Sequence, residues 1–282
     1  MEIALDAVRK KKVIDIQPTK GLFHLDLISI WHHRELLYFL VWKDVLTRYK
    51  QTAIGAGWVI LQPLLTMIIF TVIFGKLARF PSDGVPYPVF AFTALLPWTY
   101  FSQALSRTAG SVVGSSNLVT KIYFPRLLIP FAAAVAPVVD LIFSFLVLLV
   151  LMAWFKITPT WGMLALPFFV VLAIMTSLSV GLWFAALNVR YRDVGSIMPF
   201  IIQIWMYASP IAYPVSMVPQ KWQLFYGLNP LVGVIEGFRW ALLGKAFPDM
   251  SVMAVSSAVV VFLFFGGLIF FKKSEQTFAD II

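Results

Sequence analysis

Long uncharged runs alternate along the chain with short polar segments that hold most of its charges. A helix needs about 20 apolar residues to cross a hydrocarbon core of about 30 Å. Strands of a membrane barrel would be about 9–11 residues long and would alternate apolar with polar positions, which these runs do not. The pattern therefore predicts an all-α integral membrane protein. The runs that are long enough predict six membrane spans, at residues 54–76, 87–106, 129–154, 163–188, 195–214 and 250–271.

A further apolar run, residues 222–235, is too short to cross a bilayer. It lies between the fifth and sixth spans, and it predicts re-entrant outer helices at that place. A break is expected at Asn229 and Pro230, because the residue before a proline avoids the helical region. Glu236 and Arg239 are three residues apart, so they can form an ion pair on one helical face.

Residues 25–50 mix aromatic and charged side chains at helical spacing. Tyr38, Trp42 and Leu46 fall on one side of a helix, whereas Lys43 and Arg48 fall largely on the other. This pattern predicts an amphipathic helix that lies in the cytoplasmic interface of the membrane. A helix packed on a soluble partner is the alternative.

Composition and charge support a membrane protein with both ends in the cytoplasm. The 282 residues are 60% hydrophobic and only 12% charged, which is too apolar for a soluble domain. Sixteen of the 22 lysine and arginine residues lie in the N-terminal segment, the loops after the second and fourth spans, and the tail. The positive-inside rule places these segments in the cytoplasm. Membrane orientation thus accounts for the basic charge, and no nucleic-acid partner is expected.

These patterns divide the chain into three parts and indicate no signal peptide. Residues 1–53 are predicted to form a cytoplasmic segment with the interface helix, residues 54–271 a six-helix transmembrane domain, and residues 272–282 a cytoplasmic tail.

No segment has the pattern of an enzyme site. Residues 237–245 resemble a phosphate loop only superficially, because six residues separate the glycines and Ala246 follows the lysine. The chain has no cysteine, and His24, His32 and His33 have no acidic cluster at ligand spacing. We therefore expect a subunit without catalytic residues, metal or cofactor of its own.

Asp140 is the only acidic residue inside the predicted spans. An acid within a membrane is a candidate functional residue. A proton relay, however, would need further ionisable residues in neighbouring spans, and they have none. A structural role, hydrogen-bonded to another helix or facing water, is favoured, and a functional role stays open.

The first and fifth spans combine aromatic, methionine and amide side chains. Such faces can stack on the apolar sides of sugars while their polar tips form hydrogen bonds. Packing between helices is the alternative for each residue. The candidate channel-lining residues are Trp58, Gln62, Thr66, Gln203, Met206, Tyr207 and Tyr213.

The loop at residues 107–126 is small and polar in its middle. Ser115, Ser116 or Asn117 could cap a short helix there, running toward Tyr123 before Pro125 ends it. A short cytoplasmic helix between two spans offers a contact surface to a soluble motor. An ordinary connecting loop is the alternative.

Four segments in this order resemble the permease subunits of ABC-type polysaccharide exporters, the O-antigen, capsule and teichoic-acid export family. The likeness covers nearly all of residues 30–275. Its most specific stretches are RELLYFLVWKDVLTRYKQTAIGAGWVILQP at 34–63, KIYFPRLLIP at 121–130, NVRYRDV at 188–194 and YGLNPLVGVIEGFRWALLG at 226–244.

The resemblance implies a homodimer of permeases with two separate cytoplasmic ATPase subunits, which would hold ATP and magnesium. It implies export of an undecaprenyl-diphosphate-linked polysaccharide, most of all O-antigen, across the bacterial inner membrane through a channel at the dimer interface. In the family, the interface helix and the first cytoplasmic loop contact the ATPase. On this chain the loop residues are Ser115, Ser116, Asn117, Thr120 and Lys121.

Three basic residues just before the first span, Lys43, Arg48 and Lys50, are placed to attract the diphosphate of such a substrate from the headgroup layer. Anchoring to anionic lipids is the alternative. An ion-coupled transporter or channel is a rival function. It would need ligands for a coupling ion, and Asp140 is the one candidate within the predicted spans. A membrane sugar transferase would need an acid–base pair, which the sequence lacks.

Overall fold

The computed structural model describes residues 31–50, 56–244 and 248–281, and all regular structure in these ranges is helical. His24, Lys245 and most of the predicted segment 1–53 lie outside the described residues. The helices are α1 (Arg34–Tyr49), α2 (Ala56–Phe70), α3 (Tyr87–Gly114), α4 (Ser116–Lys121), α5 (Leu128–Val135), α6 (Val138–Trp154), α7 (Leu166–Arg190), α8 (Asp193–Tyr207), α9 (Gln220–Tyr226), α10 (Pro230–Leu243), α11 (Met250–Glu275) and α12 (Phe278–Ile281). A π-helical turn, Thr71–Leu77, continues α2, and 3₁₀ turns lie at Trp161–Ala165 and Val215–Met217.

Four helical segments among the described residues are long and apolar enough to cross a membrane: Gly57–Leu77, Leu128–Trp154, Trp161–Arg190 and Met250–Glu275. They correspond to the first, third, fourth and sixth predicted spans. The second predicted span lies within α3, and the fifth lies in α8 and the turns that follow it. An all-helical membrane architecture is confirmed, while the count of six spans stays a prediction.

The core is built around α3, which packs on α7, α5 and α10. Most of the α3 side chains are buried, including Phe90, Phe92 and Phe101. Gly181 of α7 permits close contact with α3, because a Cβ added there would lie 2.6 Å from Cγ2 of Thr108. A side chain at position 181 would therefore force these two central helices apart.

The third predicted span is not one continuous helix. It breaks at Ala136 and Pro137, between α5 and α6. Proline lacks the backbone N–H that would continue the helical ladder. As a result, Asp140 lies in the first turn of α6.

The outer segment contains the two short helices expected there, α9 and α10. The break falls at Asn229, whose side chain caps α10 by accepting a hydrogen bond from the Leu231 N–H at 3.1 Å. Helix α10 ends at Gly244, which has a left-handed φ of 63° that favours glycine. Helix α10 is largely buried in protein, whereas α9 exposes Trp222 and Phe225. The re-entrant depth of this segment stays a prediction.

Helix α4 is present, but Ser115 precedes it without a side-chain capping bond, and the helix ends at Lys121, before Tyr123. Helix α1 exposes Tyr38, Trp42 and Leu46 on one face. That face agrees with an amphipathic helix, and its position in a membrane interface stays a prediction.

Candidate functional site

A polar cleft of about 530 Å³ lies between α1 and α3, and α5, which packs against α1, contributes Ile129, Ala132 and Ala133 to its lining. Helix α1 provides one wall and the C-terminal half of α3 the other. The residues that give the cleft its charge and shape include Lys43, Asp44, Arg48, Arg107, Gly110 and Ser115.

Arg48 joins α1 to the helices behind the cleft. Its guanidinium donates a hydrogen bond to Oε1 of Gln103 at 3.0 Å and forms an ion pair with Asp140. The Tyr49 hydroxyl donates to the other carboxylate oxygen of Asp140. Asp140 is buried, and each of its carboxylate oxygens has a partner from the interface helix. This geometry supports the structural role that the sequence favours for Asp140.

Arg107 lies on the opposite wall of the cleft, one turn along α3 from Gln103. Its side chain is half-buried and lines the cleft. Among residues 31–50, 56–244 and 248–281, it has neither an ion pair nor a hydrogen bond. The negative charges of Asp140 and Asp44 attract its guanidinium without forming an ion pair.

Lys43 and Lys50 lie on the same helix as Arg48 but differ in their surroundings. Lys43 lines both the cleft and a neighbouring groove of about 330 Å³, whereas Lys50 lines only the groove, beside Trp42 and Leu46. The three predicted basic residues thus lie near one another, and within the described part of the chain only Arg48 forms an ion pair with an acid.

The predicted channel residues fall into two groups. Trp58 and Gln62 on α2 are exposed, and the Thr66 hydroxyl donates to the Gln62 carbonyl at 3.0 Å. On α8, Gln203 and Tyr207 are exposed as well. Both helices also present apolar side chains outward, among them Leu61, Leu65, Ile68, Phe200 and Ile204.

The structure brings three of these channel residues together at the C-terminal ends of α2 and α8. Met206, Tyr207 and Tyr213 line a cavity of about 90 Å³ with Phe70 and Phe74. Trp58, Gln62, Thr66 and Gln203 do not reach this cavity.

The predicted motor-contact loop presents an exposed surface. Asn117, Thr120 and Lys121 are exposed, and Tyr123 beside them is 83% exposed. Ser116 is half-buried, and Ser115 faces the cleft.

Arg239 fixes the non-helical bend that follows α8. It is 4% exposed, forms the predicted ion pair with Glu236 at 2.8 Å, and lies 3.8 Å from the centre of the Phe90 ring. It also donates to the carbonyl oxygens of Ile211 at 3.1 Å and Tyr213 at 3.4 Å. A buried guanidinium needs such partners, and an irregular backbone in a membrane needs donors. The pair thus has a structural function.

Asn229 ties the same bend to the start of α10. Its amide nitrogen donates to the Ala208 carbonyl at 3.1 Å and to the Ser209 hydroxyl at 3.0 Å, and its oxygen accepts from the Trp205 indole at 2.9 Å. The Tyr87 hydroxyl donates to the Ala212 carbonyl at 2.7 Å. Together with Arg239, these side chains replace the hydrogen bonds that a continued helix would have made.

Sequence patterns did not identify Arg107, Gln103 or Tyr49. The only signal for Arg107 is its place at the end of the second predicted span. No sequence signal identifies Gln103 or Tyr49, because their roles depend on distant contacts. Gln103 binds Arg48 across 55 residues of sequence, and Tyr49 binds Asp140 across 91. Within the described residues, no group of three or more histidine or acidic side chains could hold a metal ion.

A family model described as ABC-2 type transporter matches residues 35–243. The chain belongs to the ABC-2 type transporter family. The matched range of this ABC-2 permease runs from α1 to α10, so it contains the cleft, α4 and the bend after α8, while α11 lies outside it.

Several curated proteins are similar to this ABC-2 permease over nearly their whole length. The O-antigen export system permease protein RfbA of Myxococcus xanthus is 28% identical over 90% of this chain and 98% of its own length. A protein of the same name from Klebsiella pneumoniae is 26% identical over 88% and 95%. The polysialic acid transport protein KpsM of Escherichia coli is 26% identical over 83% and 91%.

Proposed function

We propose that the protein is the transmembrane subunit of an ATP-driven exporter that moves an undecaprenyl-diphosphate-linked polysaccharide across the bacterial inner membrane. The observation that carries this proposal is the nearly full-length similarity to permeases named for O-antigen export. O-antigen is therefore the first candidate cargo. The similarity to a polysialic acid transport protein keeps capsule export, and with it teichoic-acid export, as the second.

The driving energy would come from a separate subunit. Two cytoplasmic ATPases would bind a homodimer of permeases, and ATP and magnesium would be held there. The exposed surface of α4 and helix α1 are the proposed contacts, and the charge distribution supports a cytoplasmic position for both.

The channel is proposed to run along the interface between two copies of the chain. Helices α2 and α8 support this arrangement, since each has an outward face that no part of the described chain covers. Those faces carry Trp58, Gln62, Gln203 and Tyr207 among aliphatic side chains. Weak stacking contacts suit a long neutral glycan, which has to slide past them.

Lys43, Arg48 and Lys50 are proposed to attract the diphosphate end of the substrate from the headgroup layer. Arg48 has a second task as the partner of Asp140. Replacing Arg48 would therefore mix a change in stability with a change in binding, and Lys50→Ala is the cleaner test of attraction.

An ion-coupled transporter or channel is the rival function, and the pairing of Asp140 weighs against it. A coupling ion would need a carboxylate that is free to bind it. Both oxygens of Asp140 are engaged by Arg48 and Tyr49.

Co-purification with an ATPase tests the proposed function. The permease would be co-expressed with an ATPase encoded beside it and reconstituted in vesicles, with and without lipid-linked O-antigen. We expect a stable complex whose ATP hydrolysis rises with the glycan, and no hydrolysis by the permease alone or with an ATPase variant that lacks its phosphate-loop lysine. ATP hydrolysis by the permease alone would contradict the proposal. So would a complex whose rate of ATP hydrolysis is unchanged by every lipid-linked glycan tested.

A further inference from the structure

The cleft between α1 and α3 has the dimensions of a ligand site. Its volume of about 530 Å³ falls within the range of about 300–1,000 Å³ that small-molecule pockets occupy. Its lining includes Lys43, Arg48 and Arg107 as cations, and Asp44 is the one acid that the described residues contribute to it.

The charges in this cleft are not balanced within the described part of the chain. Asp140 neutralises Arg48 from behind, which leaves Lys43 and Arg107 facing one acid, Asp44. Asp140 and Asp44 attract the Arg107 guanidinium through space, but neither forms an ion pair with it, so burial removes part of its hydration without supplying a direct hydrogen-bond partner from the described residues. An anion in the cleft would supply the missing partner of Arg107.

Guanidinium favours one kind of anion. Its planar fork can donate two parallel hydrogen bonds to the oxygens of a phosphate group, and a nearby ammonium adds a point charge. The wall around Arg107 also leaves room, because a Cβ added at Gly110 or Gly114 would meet no atom within 4 Å.

We propose that the cleft between α1, α3 and α5 binds a phosphate-bearing headgroup, with Arg107 as its main ligand and Lys43 as a flanking cation. The inference rests in part on the proposed function, which supplies a diphosphate-linked substrate as one source of that group. Anionic phospholipid is the other source. Of the three residues proposed to attract the substrate's diphosphate, Lys43 and Arg48 line this cleft, whereas Lys50 lines only the neighbouring groove.

Two kinds of substitution test the site independently. Arg107→Gln removes the charge and keeps a hydrogen-bonding side chain. Gly110→Leu removes no charge and fills the cleft, and it should not harm folding, since the position has open space and leucine favours helix more than glycine does. Arg190→Gln is the matched control, because Arg190 is an exposed arginine outside the cleft, at the end of α7.

The full-length permease in phosphatidylcholine nanodiscs would be titrated calorimetrically with inorganic pyrophosphate and with farnesyl diphosphate, with farnesol as the uncharged comparison. We expect Arg107→Gln to weaken binding of both diphosphates about tenfold or more, as loss of a charged hydrogen-bond donor would. Gly110→Leu should weaken binding to a similar degree, and Arg190→Gln should match the unmodified protein. Arg107→Lys should recover part of the affinity.

A second set of nanodiscs, with phosphatidylglycerol added, identifies the source of the phosphate. If the carrier lipid is the natural ligand, farnesyl diphosphate will bind in both membranes with similar affinity. If a bilayer lipid fills the cleft, phosphatidylglycerol will compete with the diphosphates, and Arg107→Gln will abolish that competition. Either result supports a phosphate site at Arg107.

Diphosphate binding that is unaffected by both Arg107→Gln and Gly110→Leu would overturn the proposal. So would the absence of binding in folded, monodisperse protein. Because these titrations need neither ATPase nor glycan, a failure of polysaccharide export would leave their outcome unchanged, and the two proposals can fail separately.

Discussion

Arg48 near the end of α1 forms an ion pair with Asp140 in the first turn of α6, across 92 residues of sequence. The pair links the amphipathic helix, which is proposed to contact the motor, to a helix of the transmembrane domain. Tyr49 and Gln103 complete the cluster by hydrogen bonding to Asp140 and to Arg48. The cluster thus gives α1 a fixed position relative to the core.

Removal of one partner of this ion pair should destabilise the protein more than removal of both. Asp140→Asn leaves Arg48 without a counter-charge, and we expect a loss of about 1–3 kcal/mol, less than for a fully buried pair because Arg48 is 26% exposed. The double variant Arg48→Gln, Asp140→Asn should recover part of that loss. The loss and the recovery are measured by comparing the thermal unfolding of both variants with that of the unmodified protein in one detergent.

If the double variant is as unstable as Asp140→Asn, the ion pair does not account for the lost stability. Loss of transport by Asp140→Asn in a stably assembled complex would favour the ion-coupled alternative, because the structural role predicts that activity follows assembly.

Substitution of the exposed aromatic residues of α2 and α8 should slow export without preventing assembly. Trp58→Ala and Tyr207→Ala each remove a stacking surface that the described fold does not bury. We expect an export rate several-fold lower, at an unchanged yield of complex. Phe168→Ala, an exposed aromatic on α7, is the control that should leave the rate unchanged. A reduced yield of complex would place Trp58 or Tyr207 in packing instead.

Cysteines in α4 should cross-link to the ATPase partner. The chain has no native cysteine, so Asn117→Cys and Thr120→Cys provide single thiols without further engineering. Both positions are exposed. We expect disulfides with cysteines in the partner, and none from Trp161→Cys, which is 90% exposed but lies at the other predicted side of the membrane. Efficient export without a cross-link at any partner position would count against this contact.

Thiol labelling can establish the depth of the outer segment, but only on α9. Positions in α10 such as Val232 and Val234 will label slowly in any case, because protein buries them. Trp222 and Phe225 on α9 are more than half exposed, so slow labelling of cysteines there would mean that lipid covers them. We expect slow labelling at both and fast labelling at the exposed polar position Gln220. Equally fast labelling at all three would show an outer segment in water.

Hydrophobic runs predicted the helical content well because a bilayer imposes one length on every span. Local rules also predicted the break at Asn229 and the ion pair of Glu236 with Arg239. The fifth span was the weakest prediction, since the apolar run continues to residue 214 whereas α8 ends at Tyr207. The helix can stop there because Arg239 and Tyr87 provide donors from distant parts of the chain.

Some properties of the basic residues could be predicted from the sequence, whereas others depend on how the helices pack. Their positions before the first span were evident from the sequence, and so was the role of charge in orientation. The difference between Arg48, which is paired with Asp140, and Arg107, which has no ion pair with any residue that the structure describes, was not evident, since it depends on how α1 lies against α3 and α6. The periodic pattern of a single helix does not reveal which residues of other helices face it.

The bend after α8 is held largely through its backbone: Arg239, Asn229 and Tyr87 bind the carbonyl oxygens of residues 208, 211, 212 and 213. Backbone atoms are the same whatever residue occupies a position. Related exporters could therefore change the exposed side chains near this bend as their cargo changes, while the three anchoring residues keep its path. We expect saturation mutagenesis to show tolerance at Ala208 and intolerance at Arg239, and the reverse ranking would refute this division.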